Sequence, residues 1–192
     1  MANHVMTTVE VISKNEDVYK QLTKWFGGKS YDTLSDTLFL YHTLYGTDAE
    51  DSDYDRGLYT ERMGAKWAYI EDTECYDDYF RMNTTSAWYF IEGAIERLGE
   101  LLYGIDNEVL IKFTFEDEGL DPIGGGAWYR NEIDFEEESY EQPDEDVLSP
   151  IEYDTARDVM YEEVYEISEG IMDNSAEFLL REYKPNNDIK KT

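Results

Sequence analysis

Cysteine, histidine and cationic side chains are scarce in this sequence. Cys75 is the single cysteine, so one chain can form neither an intramolecular disulfide nor a thiolate metal cage, which fits a reducing compartment. No apolar run approaches the length of a membrane span, and the opening MANHVMTTVEVIS has no basic leader. We therefore expect no targeting segment, no membrane association, and a location in the cytoplasm where the protein is made.

The shortage of cations leaves a large negative charge. Sixteen Lys and Arg stand against 45 Asp and Glu, giving a net charge of -29. Such a surface repels nucleic acid and anionic lipid, so direct binding of either is not expected. The chain is nevertheless 41% hydrophobic and 15% aromatic, with 17 tyrosines. This composition supplies a packed core and argues against disorder.

The periodicity of apolar residues predicts an alternation of strands and helices. Residues 4–12 alternate as a strand, and Asn15 is placed to cap a helix that ends at Gly27-Gly28. Two runs separated by a turn near residues 76–78 predict a hairpin, and Ser86 is predicted to open a second helix. EVLIKFTFEDE then predicts a strand, with GGGAWYRNEIDFEEE returning as its single partner.

This order predicts an α+β fold, specifically a ferredoxin-like sandwich. We expect a βαββαββ arrangement with an antiparallel or mixed sheet and two helices on one face. The predicted domain covers residues 1–140, with an acidic insertion at about 29–60. Ser149, Pro150 and Glu152 form the pattern of a capping box. They predict a helical C-terminal extension over 147–183, followed by a polar tail at 184–192.

Several segments resemble a known family. They are the opening MANHVMTTVEVIS, GAKW before a strand, MNTTSAWYFIEGAIERLGELL, and FTFEDEGLDPIGGGAW. Together they are similar to the Api-like (ninety-two) phage proteins, which have a ferredoxin-like domain and occur in tailed bacteriophages and prophages. The resemblance covers about residues 1–135 and implies fold and phage origin, hence a bacterial host cytoplasm. It implies no catalytic residues.

The motifs that could carry chemistry are incomplete. DSDYDRG, at 51–57, has aspartates at calcium-loop positions one, three and five, but its glycine and its twelfth position do not match. A solvated loop is therefore favoured there, and weak cation binding at 48–57 stays open. Acidic neighbours disfavour a reactive thiolate at Cys75. Trp88 is interpreted as packing on the sheet, with an exposed anchor for a partner as the alternative.

The charge itself is the strongest functional signal. Solubility alone requires a smaller net charge, and adaptation to high salt fits poorly with the abundant aromatic residues. Duplex DNA carries one charge per roughly 1.7 Å, so 29 charges equal those of roughly 15 base pairs. Tyrosines interleave the acids in SDYDRGLYTE, ECYDDYF, EEESYEQ and MYEEVYE. Tyrosine among acids is typical of a protein interface.

The sequence therefore predicts a phage-encoded, non-enzymatic inhibitor of a host defence enzyme that acts on nucleic acid. Its targets would be a restriction nuclease, a CRISPR effector, a recombination nuclease or a DNA-modifying toxin, bound through DNA mimicry. The predicted partner-binding residues are Asp51, Asp53, Tyr54, Asp55, Asp77, Asp78, Glu136, Glu137, Glu138, Tyr140, Asp144, Glu145, Asp146, Glu162 and Glu163.

Two alternatives accompany this prediction. The chain could instead be a phage accessory module for a basic host or phage protein, such as a polymerase or a replication or assembly factor, without DNA mimicry. A metal-dependent enzyme would require several acids to converge on one site. We expect no cofactor and no metal, and the sequence leaves the oligomeric state open, a dimer included.

Overall fold

A six-stranded antiparallel sheet organises the computed structural model, which describes residues 3–46, 56–143 and 149–183. The strands are β1 (His4–Ile12), β2 (Ala68–Cys75), β3 (Phe80–Ala87), β4 (Leu110–Asp117), β5 (Ile123–Tyr129) and β6 (Glu132–Glu138). The helices are α1 (Glu16–Phe26), α2 (Tyr31–Leu34), α3 (Phe39–Tyr45), α4 (Arg56–Met63), α5 (Glu92–Tyr103) and α6 (Pro150–Glu182). The predicted α+β class is confirmed.

The order of strands across the sheet is β2-β3-β1-β4-β5-β6, and every neighbouring pair is antiparallel. β1 lies between β3 and β4, with Val9 opposite Met82 on one side and Phe113 on the other. β2 and β6 are the two edges. The hairpin predicted around the turn near residues 76–78 is confirmed as β2 and β3.

One face of the sheet forms the main hydrophobic core with α1 and α5. Val9 and Val11 alternate with polar residues along β1, so they point to this face together. Leu22 of α1 and Leu98 of α5 are buried against them. Asn15 caps α1 by accepting a hydrogen bond from the backbone N–H of Asp17, at 3.0 Å. Two helices on one face of the sheet follow from their amphipathic patterns.

The second face of the sheet is covered by α6 along β5. Ser149 and Glu152 form the predicted capping box at its start. Gly125 lets the helix approach closely, because a β-carbon there would lie 2.5 Å from the carbonyl oxygen of Ser168. Further residues pack on both sides of this point: Met160 and Val164 near Ile123, and Ala176 and Leu179 near Ala127 and Tyr129. The predicted C-terminal helix is confirmed as one continuous element.

The predicted single strand over 124–138 is wrong, because two strands occupy this segment. β5 and β6 form a hairpin whose two-residue turn is Arg130-Asn131, with φ angles of 53° and 66°. Positive φ at both central residues is the conformation that a type I′ hairpin turn requires. Asn131 adopts it readily, and the chain reverses there to make β6 the edge of the sheet.

The start of the second helix also differs from the prediction. Ser86 does not open it; β3 continues to Ala87, which pairs with His4, and α5 begins at Glu92. Trp88 does not pack on the sheet: its φ is 77° and it is 62% exposed. Its backbone N–H donates to the carbonyl of Asn3 at 3.0 Å, and the Lys66 ammonium lies 4.6 Å from its ring centre. The interpretation of Trp88 as packing on the sheet is therefore wrong.

The insertion between α1 and β2 contributes α2, α3 and α4. Tyr59 of α4 is buried, and its hydroxyl accepts the Ala68 N–H at 2.9 Å and donates to the Thr37 carbonyl at 3.0 Å. This side chain joins the insertion to the first residue of β2. Among the helices in the described ranges, none is both long and apolar enough to cross a bilayer.

Candidate partner-binding surface

The exposed side of α6 carries a row of carboxylates. The helix has 33 residues and is therefore about 50 Å long. Its buried side chains recur every three or four residues, so the residues between them face outwards. Five acidic residues on this outer side are exposed and spaced by four or seven positions: Asp158, Glu162, Glu166, Asp173 and Glu177. Members four positions apart are about 6 Å apart along the axis, and Glu166 and Asp173, seven positions apart, are about 10 Å apart.

The edge strand β6 carries a second row. Glu136 pairs with Gly125, which lies directly under α6, so Glu136 projects from the same face of the sheet as the helix. Alternation places Glu132, Asp134 and Glu138 on that face as well, roughly 7 Å apart from one to the next. Glu137 points to the opposite face, where it accepts a hydrogen bond from the Tyr89 hydroxyl at 3.3 Å.

These two rows form what we call the acidic surface: Glu132, Asp134, Glu136 and Glu138 of β6 with Asp158, Glu162, Glu166, Asp173 and Glu177 of α6. The sequence from 132 to 182 holds nineteen carboxylates against two arginines, which is a net charge of -17 out of -29. Within the described ranges, Asp173 alone of these nine has an ion-pair partner, Lys112. The nine carboxylates of the acidic surface are therefore almost without neutralising cations in the described part of the chain.

Tyrosines donate hydrogen bonds to carboxylates beside the acidic surface. The Tyr140 hydroxyl donates to Glu163, and the Tyr165 hydroxyl donates to Glu169 at 2.5 Å. Each hydrogen bond raises the pKa of its tyrosine, because the carboxylate stabilises the protonated hydroxyl. Burial, with the charge of Glu137, raises the pKa of Tyr89 to about 12. These tyrosines remain neutral donors that hold the carboxylates in fixed positions.

The structure brings some of the sequence-predicted residues together. Glu136 and Glu138 lie on the β6 row, Glu162 lies on the α6 row, and Tyr140 bonds to Glu163 between them. Glu137 is on the same strand but on the other face. The prediction of a shared partner-binding role for this group stays a prediction, now with a common location.

The structure separates Asp77 and Asp78 from that group. Both lie between β2 and β3, where they line a shallow depression with Glu16 and Lys20 of α1. β2 is five strand positions from β6, which is about 24 Å. A single small partner surface therefore does not contact both the Asp77–Asp78 turn and the acidic surface. The remaining predicted residues, Asp51, Asp53, Tyr54, Asp55, Asp144, Glu145 and Asp146, lie outside the described residues, as does most of the calcium-like loop.

A cleft between α6 and the uncovered part of the sheet was not predicted. Its floor comes from three strands, because Glu10 pairs with Arg81 and Met6 pairs with Glu116 on this face. Tyr165, Ser168, Glu169 and Met172 of α6 form its wall, and its volume is about 160 Å³. No local sequence signal marks it, since these residues meet only through strand pairing and the position of α6.

Other chemistry finds little support in the described part of the chain. No group of three or more His, Cys, Asp and Glu is arranged there to hold a metal ion. His4 lies 4.0 Å from Glu118 and edge-on to Trp67. Burial raises the pKa of the Cys75 thiol, which disfavours the reactive thiolate.

Comparisons with known proteins identify a weak structural similarity. No family model matches the sequence, and no curated protein matches it. Among solved structures, the crystal structure of a protein Api92 from Yersinia pseudotuberculosis, of the family model DUF1281, is similar. The similarity covers 73% of this chain and 99% of that chain, at 9% identity and a TM-score of 0.41. A likeness this weak carries no argument about function.

Proposed function

We propose that the protein is a phage-encoded, non-enzymatic inhibitor that binds a basic, nucleic-acid-binding groove of a host defence enzyme through its acidic surface. The observation that carries this proposal is the concentration of exposed carboxylates in two rows on β6 and α6, almost all without a cationic partner in the described ranges. A protein that binds DNA would gain from these rows the same salt-dependent attraction that it gains from phosphates.

The spacing of the rows supports mimicry of one nucleic-acid strand better than mimicry of a duplex. α6 carries ten acidic residues over about 50 Å, or one per about 5 Å. A single DNA strand presents one phosphate per about 3.4 Å, and a duplex presents one per about 1.7 Å. With all ten of its acids counted, α6 thus approaches the charge density of one strand and lies well below that of two.

Exposed tyrosines next to the acids favour a protein partner over a purely solvating role. Tyr161 and Tyr165 of α6 are both more than half exposed. Tyrosine supplies contact area and a hydrogen bond with little loss of entropy, and it is enriched where binding energy concentrates. The partner would be a protein, not nucleic acid.

The ferredoxin-like assignment and the phage origin are part of the same proposal. The strand order β2-β3-β1-β4, with α1 and α5 on one face, supports a ferredoxin-like unit that β5, β6 and α6 extend. The similarity of the sequence segments to the Api-like phage family supports a site of action in a bacterial host cytoplasm.

The test is an affinity capture from host lysate with and without excess duplex and single-stranded DNA, followed by an activity assay of the purified partner. We expect a DNA-directed enzyme to be captured, displaced by DNA and inhibited. The variant Glu136→Gln/Glu138→Gln/Glu162→Gln/Glu166→Gln should bind much more weakly. Its matched control, Asp32→Asn/Glu61→Gln/Glu74→Gln/Glu96→Gln, removes the same charge elsewhere and should bind normally. Equal binding by both variants would refute the role of the acidic surface.

A second candidate is an accessory module for a basic phage or host protein without DNA mimicry. The charge density, well below that of a duplex, favours it. In the same experiment, this candidate predicts a partner that remains bound when DNA is added. The four-site variant should still release that partner, because the acidic surface would serve either function.

A further inference from the structure

The cleft beside α6 contains the carboxylate of Glu116, which has no neutralising partner among the described residues. Glu116 projects from β4 into the cleft and is partly buried. Within the described ranges no hydrogen-bond donor or cation pairs with it, and burial raises its pKa. Removing a carboxylate from water without a partner costs free energy. A cation that entered the cleft would recover that cost.

A second polar group in the cleft also lacks a partner. Ser168 is 5% exposed, and its Oγ forms no hydrogen bond within the described part of the chain. A serine inside a helix commonly donates to the carbonyl four residues earlier, but Ser168 does not. Because Ser168 lines the cleft wall, this hydroxyl is a buried polar group there without a partner among the described residues. This observation is independent of the carboxylates.

The remaining lining fits one cation with an aliphatic stem. Glu10 and Glu169 add two carboxylates to Glu116, and Arg81 supplies a single positive charge. The side chains of Met6 and Met172 give an apolar lining, which suits the methylene stem of a basic side chain. Three carboxylates against one guanidinium leave the cleft with an excess of negative charge, and its volume admits one head group but no folded segment.

We propose that this cleft receives a single arginine or lysine side chain of the protein partner. The source of the side chain rests on the proposed function, whereas the preference of the cleft for a cation rests on its own residues. The cation would lie near Glu116 and Glu169, with its stem against the methionines. The cleft would thus add one specific anchor to the diffuse attraction of the acidic surface.

The experiment is an NMR titration of the full chain labelled with ¹³C in the methionine methyl groups. The probe is L-arginine amide, with citrulline amide as its neutral isostere and N-acetylglycine as an anion. We expect saturable shifts of the Met6 and Met172 methyls with arginine amide alone. Met63 and Met82, which are buried on the other face, should not move. Shifts with N-acetylglycine instead would assign the cleft to an anion at Arg81 and overturn the proposal.

Variants distinguish the cleft from general charge. Glu116→Gln should weaken arginine amide by about tenfold, the loss of about one charge-assisted hydrogen bond. Glu169→Gln should act in the same direction from the α6 wall, and Glu61→Gln, exposed on α4 and outside the acidic surface, should leave the affinity unchanged. If all three variants weakened arginine amide binding equally, the binding would depend on the overall negative charge and not on the cleft, which would overturn the proposal. Because the probe is a small molecule, this result is independent of whether DNA displaces the partner.

Discussion

Gly99 of α5 lies directly against the indole of Trp128 on β5. A β-carbon at position 99 would collide with three carbon atoms of the ring system. Trp128 is almost completely buried, and it joins β5 to the core that α5 forms with the rest of the sheet. The absence of a side chain at 99 therefore sets how closely the helix approaches the sheet at this point.

Substitution of Gly99 should destabilise the fold. We expect Gly99→Ala to lower the free energy of unfolding by about 1–3 kcal/mol through overpacking, despite the better helix propensity of alanine. Gly104→Ala is the control, because a β-carbon there meets only the Leu101 carbonyl oxygen at 3.6 Å. Urea unfolding of both variants measures the difference. If Gly99→Ala were as stable as Gly104→Ala, the contact would not limit the packing.

The hydroxyl of Tyr59 should matter as much as its ring. Tyr59→Phe leaves the Ala68 N–H and the Thr37 carbonyl without this partner inside the protein. We expect a loss of about 1–3 kcal/mol in urea unfolding, the usual cost of unpaired buried polar groups. Tyr161→Phe, at an exposed position on α6, should change stability by less than about 0.5 kcal/mol. Equal effects would contradict the bonding role assigned to Tyr59.

Because of Glu116, the free energy of unfolding of the protein should fall as pH rises above 4.5, the ordinary pKa of a glutamate. Burial raises the pKa of Glu116 above 4.5 in the folded protein. The folded state therefore keeps this proton to a higher pH than the unfolded state does. The stabilisation is fully present below pH 4.5 and is lost as pH rises through the raised pKa.

Urea unfolding across this pH range measures that contribution. Glu116→Gln should show a smaller loss of stability with rising pH than the native chain, and it should be the more stable of the two at neutral pH. Glu162→Gln is the control, since it removes one exposed carboxylate outside the cleft. If both variants changed the slope equally, general repulsion and not the burial of Glu116 would be its cause.

Salt should stabilise the whole fold. A net charge of -29 repels itself, and the repulsion is screened within about 10 Å at 0.1 M salt. We expect Tm to rise by roughly 5 °C or more from low salt to about 0.5 M sodium chloride, measured by thermal melting. The Glu136/Glu138/Glu162/Glu166 variant should show a smaller rise. A chain that was unfolded at low salt would instead indicate adaptation to high salt.

Local patterns predicted much of the fold. Some features depend only on residues that are neighbours in the sequence, so they can be predicted from it directly. These are the alternation in β1 and β4, the Asn15 cap and the Ser149 capping box. The β5–β6 turn was missed because Arg130-Asn131 lacks the glycine that usually marks such a hairpin. Asn131, a residue that tolerates positive φ, was the one available signal.

The site was less predictable than the elements that carry it. The acids of β6 and α6 are visible in the sequence, but their common edge depends on the added strand and on α6 packing over Gly125. The exposure of Trp88 depends on a hydrogen bond to Asn3, 85 positions away. The cleft depends on register: a shift of one residue in the Met6–Glu116 pairing would turn Glu116 to the other face.

The acidic edge strands also bear on self-association. β2 and β6 end the sheet, and each has a side of backbone that pairs with no other strand in the described ranges. Such an edge can template another chain, and native proteins block this with charged side chains. Glu71, Asp72 and Glu74 line one edge, and the glutamates of β6 line the other. Two copies that approach edge to edge therefore repel each other at neutral pH. Replacement of these carboxylates by neutral side chains removes that protection, and the edges then become free to pair from molecule to molecule.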